Sequence, residues 1–359
     1  MAVRVVQWAT GAVGRAALRE LIENPDFQLA GVLVYDPAKD GVDAAELCGL
    51  PTPAGVAATT DKDAIVALGA DVVVHAASKA HAVETNAEDI CRLLAAGTNV
   101  ITTTSYNHLP TYGADLEAEF ADACRRGGTR FHAAGENPGF MFERLVTTVT
   151  GLSKDIDRID LYEAVDVSGI DSRPMLVDLM GMARPPSDVS ADSPIIAKLD
   201  MAYRQALGAT ADVLGVTLDE IVVSVDCITI DRPIEIPIGT VEPGLVVGQR
   251  FSWTGRYAGR DLLAIHEEWV LTRDLPEWGL SPLAEGQKAP LIRAVIKGTP
   301  SFELQLDVGW DGSAPPGFEG ANPGHLMIAM SAVRSIPYVL AAPPGIVTAP
   351  VFGAIRLGP

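Results

Sequence analysis

At 359 residues, 48% of them apolar and 20% charged, the chain is long enough for roughly two domains and too apolar to be disordered or a coiled coil. Aspartate and glutamate outnumber lysine and arginine by 46 to 27, and the resulting net charge of −19 makes nucleic acid and membrane surfaces poor partners. Cys48, Cys91, Cys124 and Cys227 form no C-x-x-C pair, and none of the six histidines lies in an H-E-x-x-H pattern. These spacings exclude a disulfide framework, indicate no metal site and fit a reducing, cytoplasmic compartment.

The first 140 residues alternate short β-branched runs with amphipathic ones. Strands are expected at 3–8, 27–34, 71–75, 99–103 and 129–133. Helices are expected at 14–23, which Pro25 stops, and at 61–68, which Asp61 opens and Gly69 closes. Two more follow at 84–96 and 114–126, each ending in glycine. Strands and helices in this alternation build a doubly wound parallel sheet.

After residue 142 the texture changes. A half-exposed strand is expected at 159–167, then longer strands at 221–230, 246–257, 262–271 and 301–308, with helices at 175–182 and 194–214. Few helices between strands imply a mostly antiparallel sheet in an α+β domain. Phe251, Trp253, Ile265 and Trp269 would give that sheet an apolar outer face, and a second copy packed across a two-fold axis would cover it. Residues 324–341 begin as a helix. The uncharged stretch 335–355 is nominally long enough for a bilayer, but Pro337, Pro343, Pro344 and Pro350 make it read as buried loop and strand.

The most informative stretch is Val3-Arg-Val-Val-Gln-Trp-Ala-Thr-Gly-Ala-Val-Gly-Arg, where a strand runs into Ala9-x-Gly11-x-x-Gly14 and then a helix. In a dinucleotide-binding turn one glycine lets backbone approach the pyrophosphate, another allows close helix–strand packing, and the helix N-terminus attracts the anion. Thr10, Gly11, Ala12, Val13 and Gly14 would form this cradle. Asp36, about 20 residues on, suits the ribose hydroxyls and repels a 2′-phosphate, whereas Lys39 would attract one. The balance leans slightly to NAD over NADP.

Together with that loop, His132-Ala-Ala-Gly-Glu-Asn-Pro-Gly-Phe140 resembles the dihydrodipicolinate reductase-like family, in the branch of 2,4-diaminopentanoate dehydrogenase and the native amine dehydrogenases. The resemblance implies a Rossmann domain at 1–141 that binds NAD or NADP. It implies an α+β substrate and dimerisation domain at 142–322, and a segment at 323–359 that returns to the first domain. It also implies a homodimer that transfers hydride to or from a C=N or C=O carbon of a small molecule. Dihydrodipicolinate reductases carry a His-His pair, which this chain lacks, so dihydrodipicolinate is not the expected substrate. The amine dehydrogenases place a glutamate just after the fourth strand. Here residues 102–108 read Thr-Thr-Thr-Ser-Tyr-Asn-His, without a carboxylate, and amine and carbonyl substrates both stay open.

Ligands of such sheets sit beyond the strand C-termini. Ala76, Ala77 and Ser78 would let the nicotinamide ribose lie against backbone, with Thr103 and Thr104 on the next strand end. Asn137 would meet the carboxamide, and Pro138 would set the turn. Tyr106, His108 and Glu136 are the candidate proton handlers. From the second domain, Tyr162, Glu163, Asp171 and Ser172 are substrate candidates by placement. A protein that senses the dinucleotide, or scaffolds without turnover, is the alternative to an enzyme.

Overall fold

The computed structural model describes residues 2–78, 83–272, 274–278, 291–315, 317–318 and 322–358. β1 (Val3–Trp8) leads through the glycine turn into α1 (Ala12–Glu23). There follow β2 (Phe27–Leu33), α2 (Ala44–Leu47), β3 (Ala58–Thr59), α3 (Lys62–Ala67) and β4 (Val72–His75). α4 (Val83–Ala95), β5 (Asn99–Thr102), α5 (Ala114–Gly127) and β6 (Arg130–Ala133) continue the alternation. Short polar side chains mark the helix starts: Asp43 accepts from the Ala45 N–H, and Asp61 from those of Asp63 and Ala64. Gly128, at φ +67°, closes α5 in the left-handed region. Every residue of β4 and β5 is buried, as a parallel sheet covered on both faces requires.

The next stretch holds α6 (Thr147–Thr150), β7 (Asp155–Asp166), α7 (Pro194–Leu214), β8 (Glu220–Thr229), β9 (Ile234–Ile236) and β10 (Gly239–Val241). It ends with β11 (Val246–Tyr257), β12 (Arg260–Val270), β13 (Leu291–Thr299) and β14 (Phe302–Asp307). β9 and β10 pair separately, while six strands form a sheet in the order β14-β13-β7-β12-β11-β8. β7 and β12 run parallel, and the other pairs are antiparallel. The helix expected at 175–182 is a π-helical turn, Pro174–Leu179.

Phe251, Trp253, Ile265 and Trp269 are buried within the single chain, which corrects the expectation that a second copy must cover them. α7 lies on that face. Its Tyr203 ring sits 4.5 Å from Trp253, whose indole N–H donates to Asp200 at 2.9 Å. Phe251 meets Trp269 edge to face at 5.0 Å.

The chain then adds α8 (Pro323–Ala341) and β15 (Gly345–Ile346). β15 pairs with β6 and completes an all-parallel seven-stranded sheet, β15-β6-β5-β4-β1-β2-β3. Ala329, Ala332, Val333, Ile336 and Val339 of α8 pack with Ala16, Ala17 and Leu21 of α1 over Val5, Val72, Val74 and Ile101. α8 runs through Pro337, although residues from 335 on were expected to be loop and strand. Burying Ile336 and Val339 on either side of the proline offsets the roughly 3 kcal/mol that proline costs inside a helix. α8 is also long and apolar enough to cross a bilayer, but its apolar side is core of this sheet.

Two compact units result, Met1–Met141 with Trp310–Pro350 and Phe142–Gly309 with Val351–Pro359. The tail expected to return as one piece from 323 is therefore divided. Its last residues bond within the second unit, Ile355 N–H to Thr150 Oγ1 at 3.1 Å and Leu357 N–H to the Leu214 carbonyl at 2.8 Å.

Candidate cofactor and active site

The turn after β1 is held from inside. Gln7, fully buried, donates from Nε2 to the Ala9 carbonyl at 2.9 Å. Ala9 sits at φ +73°, a left-handed conformation that a glycine would adopt without steric cost. A Cβ on Gly14 would lie 2.2 Å from the Ala9 carbonyl oxygen, so α1 approaches the turn closely only because residue 14 is glycine. Gly11 differs: a Cβ there would meet nothing within 4 Å, so the space above it is open. No side chain caps α1, and its first-turn N–H groups and dipole are left for an anion. A dinucleotide pyrophosphate fits these features.

A cavity of about 540 Å³ opens beside this turn. The structure brings Thr10, Gly11, Ala12, Val13, Asp36, Lys39, Ala76, Ala77, Ser78 and Thr103 together in its lining. Gly14 lies beneath the turn, and Thr104, Asn137 and Pro138 are not in the lining. Four further residues are: Ala9 of the turn itself, Tyr35 just past β2, and His325 and Ile328 from α8. An aromatic residue next to Asp36 was visible in the sequence. Nothing local pointed to α8. The Asp36 carboxylate accepts from the Ala38 N–H at 2.9 Å, which anchors it at the mouth, and Lys39 donates to Thr10 Oγ1 at 3.4 Å across the turn.

At the strand ends lies a buried threonine ladder. Thr102 Oγ1 lies 3.0 Å from His75 Nδ1 and 2.7 Å from Thr104 Oγ1, which turns the Thr104 hydroxyl inward. The His108 ring is oriented by Thr111 Oγ1, 2.7 Å from Nδ1. Tyr106 departs from expectation: it is 2% exposed, and its ring packs 5.3 Å from Phe120 and 5.7 Å from Tyr112. It is a core residue, drawn inward by the aromatic cluster over α5. Glu136 is half-buried with Oε1 enclosed, in a loop where Gly135 and Gly139 let the chain fold tightly upon itself.

In the second unit, Tyr162 and Glu163 are neighbours on β7 and so face opposite sides of the sheet, which prevents them from lining one pocket from that strand. Tyr162 stacks on His266 at 4.4 Å, and Arg293 lies 4.5 Å over its ring. His266 is bracketed by Ser252 Oγ at 2.7 Å and Asp160 Oδ1 at 3.0 Å. Burial works against the Asp160 charge, yet hydrogen bonds from His266 and Arg158 hold its carboxyl down at about 2. On the opposite face Glu267 is fully enclosed. Burial, with Glu163 beside it, pushes its carboxyl up to about 8, while Tyr203 O–H and Trp269 Nε1–H donate to it at 2.6 and 2.7 Å. Asp171 and Ser172 are exposed, and Ser172 Oγ accepts from the Met175 N–H at 3.4 Å.

Comparison with known proteins places this architecture. The model of the dihydrodipicolinate reductase N-terminus matches residues 4–110. An amine dehydrogenase of Streptomyces virginiae is 30% identical over 351 residues, spanning 96% of this chain and 94% of its own. The solved amine dehydrogenase of Mycobacterium smegmatis shares the fold at a TM-score of 0.66 and 19% identity, over 99% of this chain and 96% of that one. The scyllo-inositol dehydrogenase of Lactobacillus casei, with NAD(H) and scyllo-inositol bound, gives 0.52 at 13% identity, over 94% and 90%. The chain belongs to the dihydrodipicolinate reductase-like family of NAD(P)-dependent oxidoreductases that act on C=N or C=O carbons.

Proposed function

We propose that this protein is a cytoplasmic, NAD-preferring dehydrogenase that interconverts an amine and the corresponding carbonyl compound. The likeness along the whole chain to a protein named amine dehydrogenase carries the amine reading. The cavity at the glycine turn carries the cofactor reading.

Bound in that cavity, nicotinamide supplies or takes the hydride. The N-terminus of α1 and the open backbone at Gly11 hold the pyrophosphate. Asp36 accepts hydrogen bonds from the ribose hydroxyls and disfavours a 2′-phosphate, and Lys39 is engaged with Thr10, which supports NAD. Ala76, Ala77, Ser78 and Thr103 give the nicotinamide half a close, small-residue wall. Asn137 orients the carboxamide, and Pro138 shapes the turn that presents it. Glu136 stands in for the glutamate missing after β5 and handles the proton at the substrate nitrogen, with His108 as its partner in proton transfer. A homodimer is the proposed assembly, and light scattering giving twice the chain mass would support it.

The decisive experiment screens ketones and aldehydes with NADH and NADPH, with and without ammonia. Ammonia-dependent oxidation of NADH is the expected result, lowered roughly 100-fold in kcat by Glu136→Gln. Ammonia-independent reduction would replace the amine reading with a carbonyl reductase, the reading that the absence of a carboxylate at 102–108 favours. Dinucleotide binding without turnover on any substrate would leave a sensor or scaffold.

A further inference from the structure

We propose that Tyr35 is the platform on which the adenine ring of the dinucleotide lies. The inference deepens the cofactor reading and rests on it. Tyr35 is 39% exposed, and it forms part of the cavity wall directly before Asp36.

Its ring is fixed before any ligand arrives. Trp8, the last residue of β1, donates from its indole N–H to the Tyr35 hydroxyl at 2.9 Å. The Lys62 ammonium lies 5.7 Å from the centre of the Tyr35 ring and 5.8 Å from that of Trp8. Asp89 grips that ammonium through both carboxylate oxygens, at 2.6 and 2.8 Å. Side chains from β1, α3 and α4 thus converge to lock one tyrosine. A ring held this way loses little conformational freedom when a base stacks on it, so most of the stacking energy appears as affinity.

The rest of the lining suits a flat heteroaromatic group with a sugar attached. Asp36, one residue along, meets the hydroxyls of a ribose carried on the base. The ligand class is an adenosine diphosphate moiety.

The test compares wild type with Tyr35→Ala, Tyr35→Leu and Tyr35→Phe by calorimetric titration of NAD, ADP-ribose and nicotinamide mononucleotide. ADP-ribose carries the adenosine and both phosphates, whereas the mononucleotide lacks the adenosine. The alanine and leucine variants should bind NAD and ADP-ribose about tenfold more weakly, with the loss seen in KM for NAD rather than in kcat. Tyr35→Phe should stay within about threefold of wild type, because it keeps the ring and loses only the bond from Trp8. Affinity for the mononucleotide should change less than about twofold in all three. Leucine keeps an apolar side chain at the position, and a parallel loss for the mononucleotide would reveal general damage to the site and overturn the assignment. Unchanged ADP-ribose binding in the alanine and leucine variants would remove the platform and leave the cofactor reading intact. Wild-type protein that binds neither NAD nor ADP-ribose would bring down both.

Discussion

In the seven-stranded sheet every residue of β4 and β5 is buried, and the cavity opens among loops past the strand ends. In the six-stranded sheet Asp160, His266, Glu267 and Glu268 are themselves buried on the strands. The first arrangement keeps polar groups where a ligand replaces water. The second closes them into networks across strands, Arg158–Asp160–His266–Ser252 on one face and Tyr203–Glu267–Trp269 on the other. Substitutions of the groups that meet the ligand at the first site should therefore register mainly in binding, and changes to the backbone of its turn in stability as well. Those in the second sheet should register in stability and its dependence on pH.

The hardest test of that division is Gly14→Ala. Its Cβ would strike the Ala9 carbonyl, which Gln7 holds in place, and neither group is a flexible side-chain end. We expect at least about 100-fold weaker NAD binding and a stability loss of about 3 kcal/mol, read by titration and thermal unfolding. Wild-type affinity in this variant would mean that the turn does not hold the cofactor.

Glu267→Gln probes the other sheet. Its folded-state carboxyl titrates near 8 against an ordinary value of 4.5, so between these the folded chain holds a proton that the unfolded chain has released. This contribution to stability is fully present below about 4.5 and is lost as pH rises through about 8. Glutamine is neutral throughout. The variant should flatten the decline and exceed wild type at pH 9 by about 1–3 kcal/mol in urea unfolding. A decline as steep as that of wild type would show that Glu267 is not its source.

The smallest effect is expected at Ala9→Gly. Releasing an alanine from φ +73° gains roughly 1–2 kcal/mol, and the added freedom of the unfolded glycine removes about 0.5–1 of it. A net rise of about 0.5–1 kcal/mol, seen as a slightly higher Tm, should leave NAD affinity intact. Lost affinity would instead mark the strained turn as part of the binding device.

What was legible in the sequence follows the same division. The glycine turn depends on a few residues between 7 and 14, so spacing alone exposed it, as it exposed β1, β11 and α7 with their observed bounds. Contacts between distant segments were out of reach. His325 and Ile328 join the cavity from α8, and β13, with Arg293, Lys297 and Gly298 breaking its pattern, is a strand because β7 and β14 flank it. Tyr106 stood among polar neighbours that suggested a reactive end, but Phe120 and Tyr112 claim its ring. The apolar stripe on β11 and β12 was read correctly as needing a cover, yet a pattern within strands does not say that α7 of the same chain provides it.

α8 has a consequence for how the chain is made. The sheet layer containing Val5, Val72, Val74 and Ile101 is closed by residues 329–339, which leave the ribosome only after the long segment Phe142–Gly309 of the second unit has been synthesised. At about 5–20 residues per second this interval lasts roughly 10–40 s. During it the nascent N-terminal unit presents one apolar face to water, together with the edge of β6 that β15 later occupies. A newly made chain therefore passes through a sticky intermediate that a renatured one, with α8 already attached, need not populate. Cellular yield should depend on chaperone supply more than the stability of the finished protein would suggest.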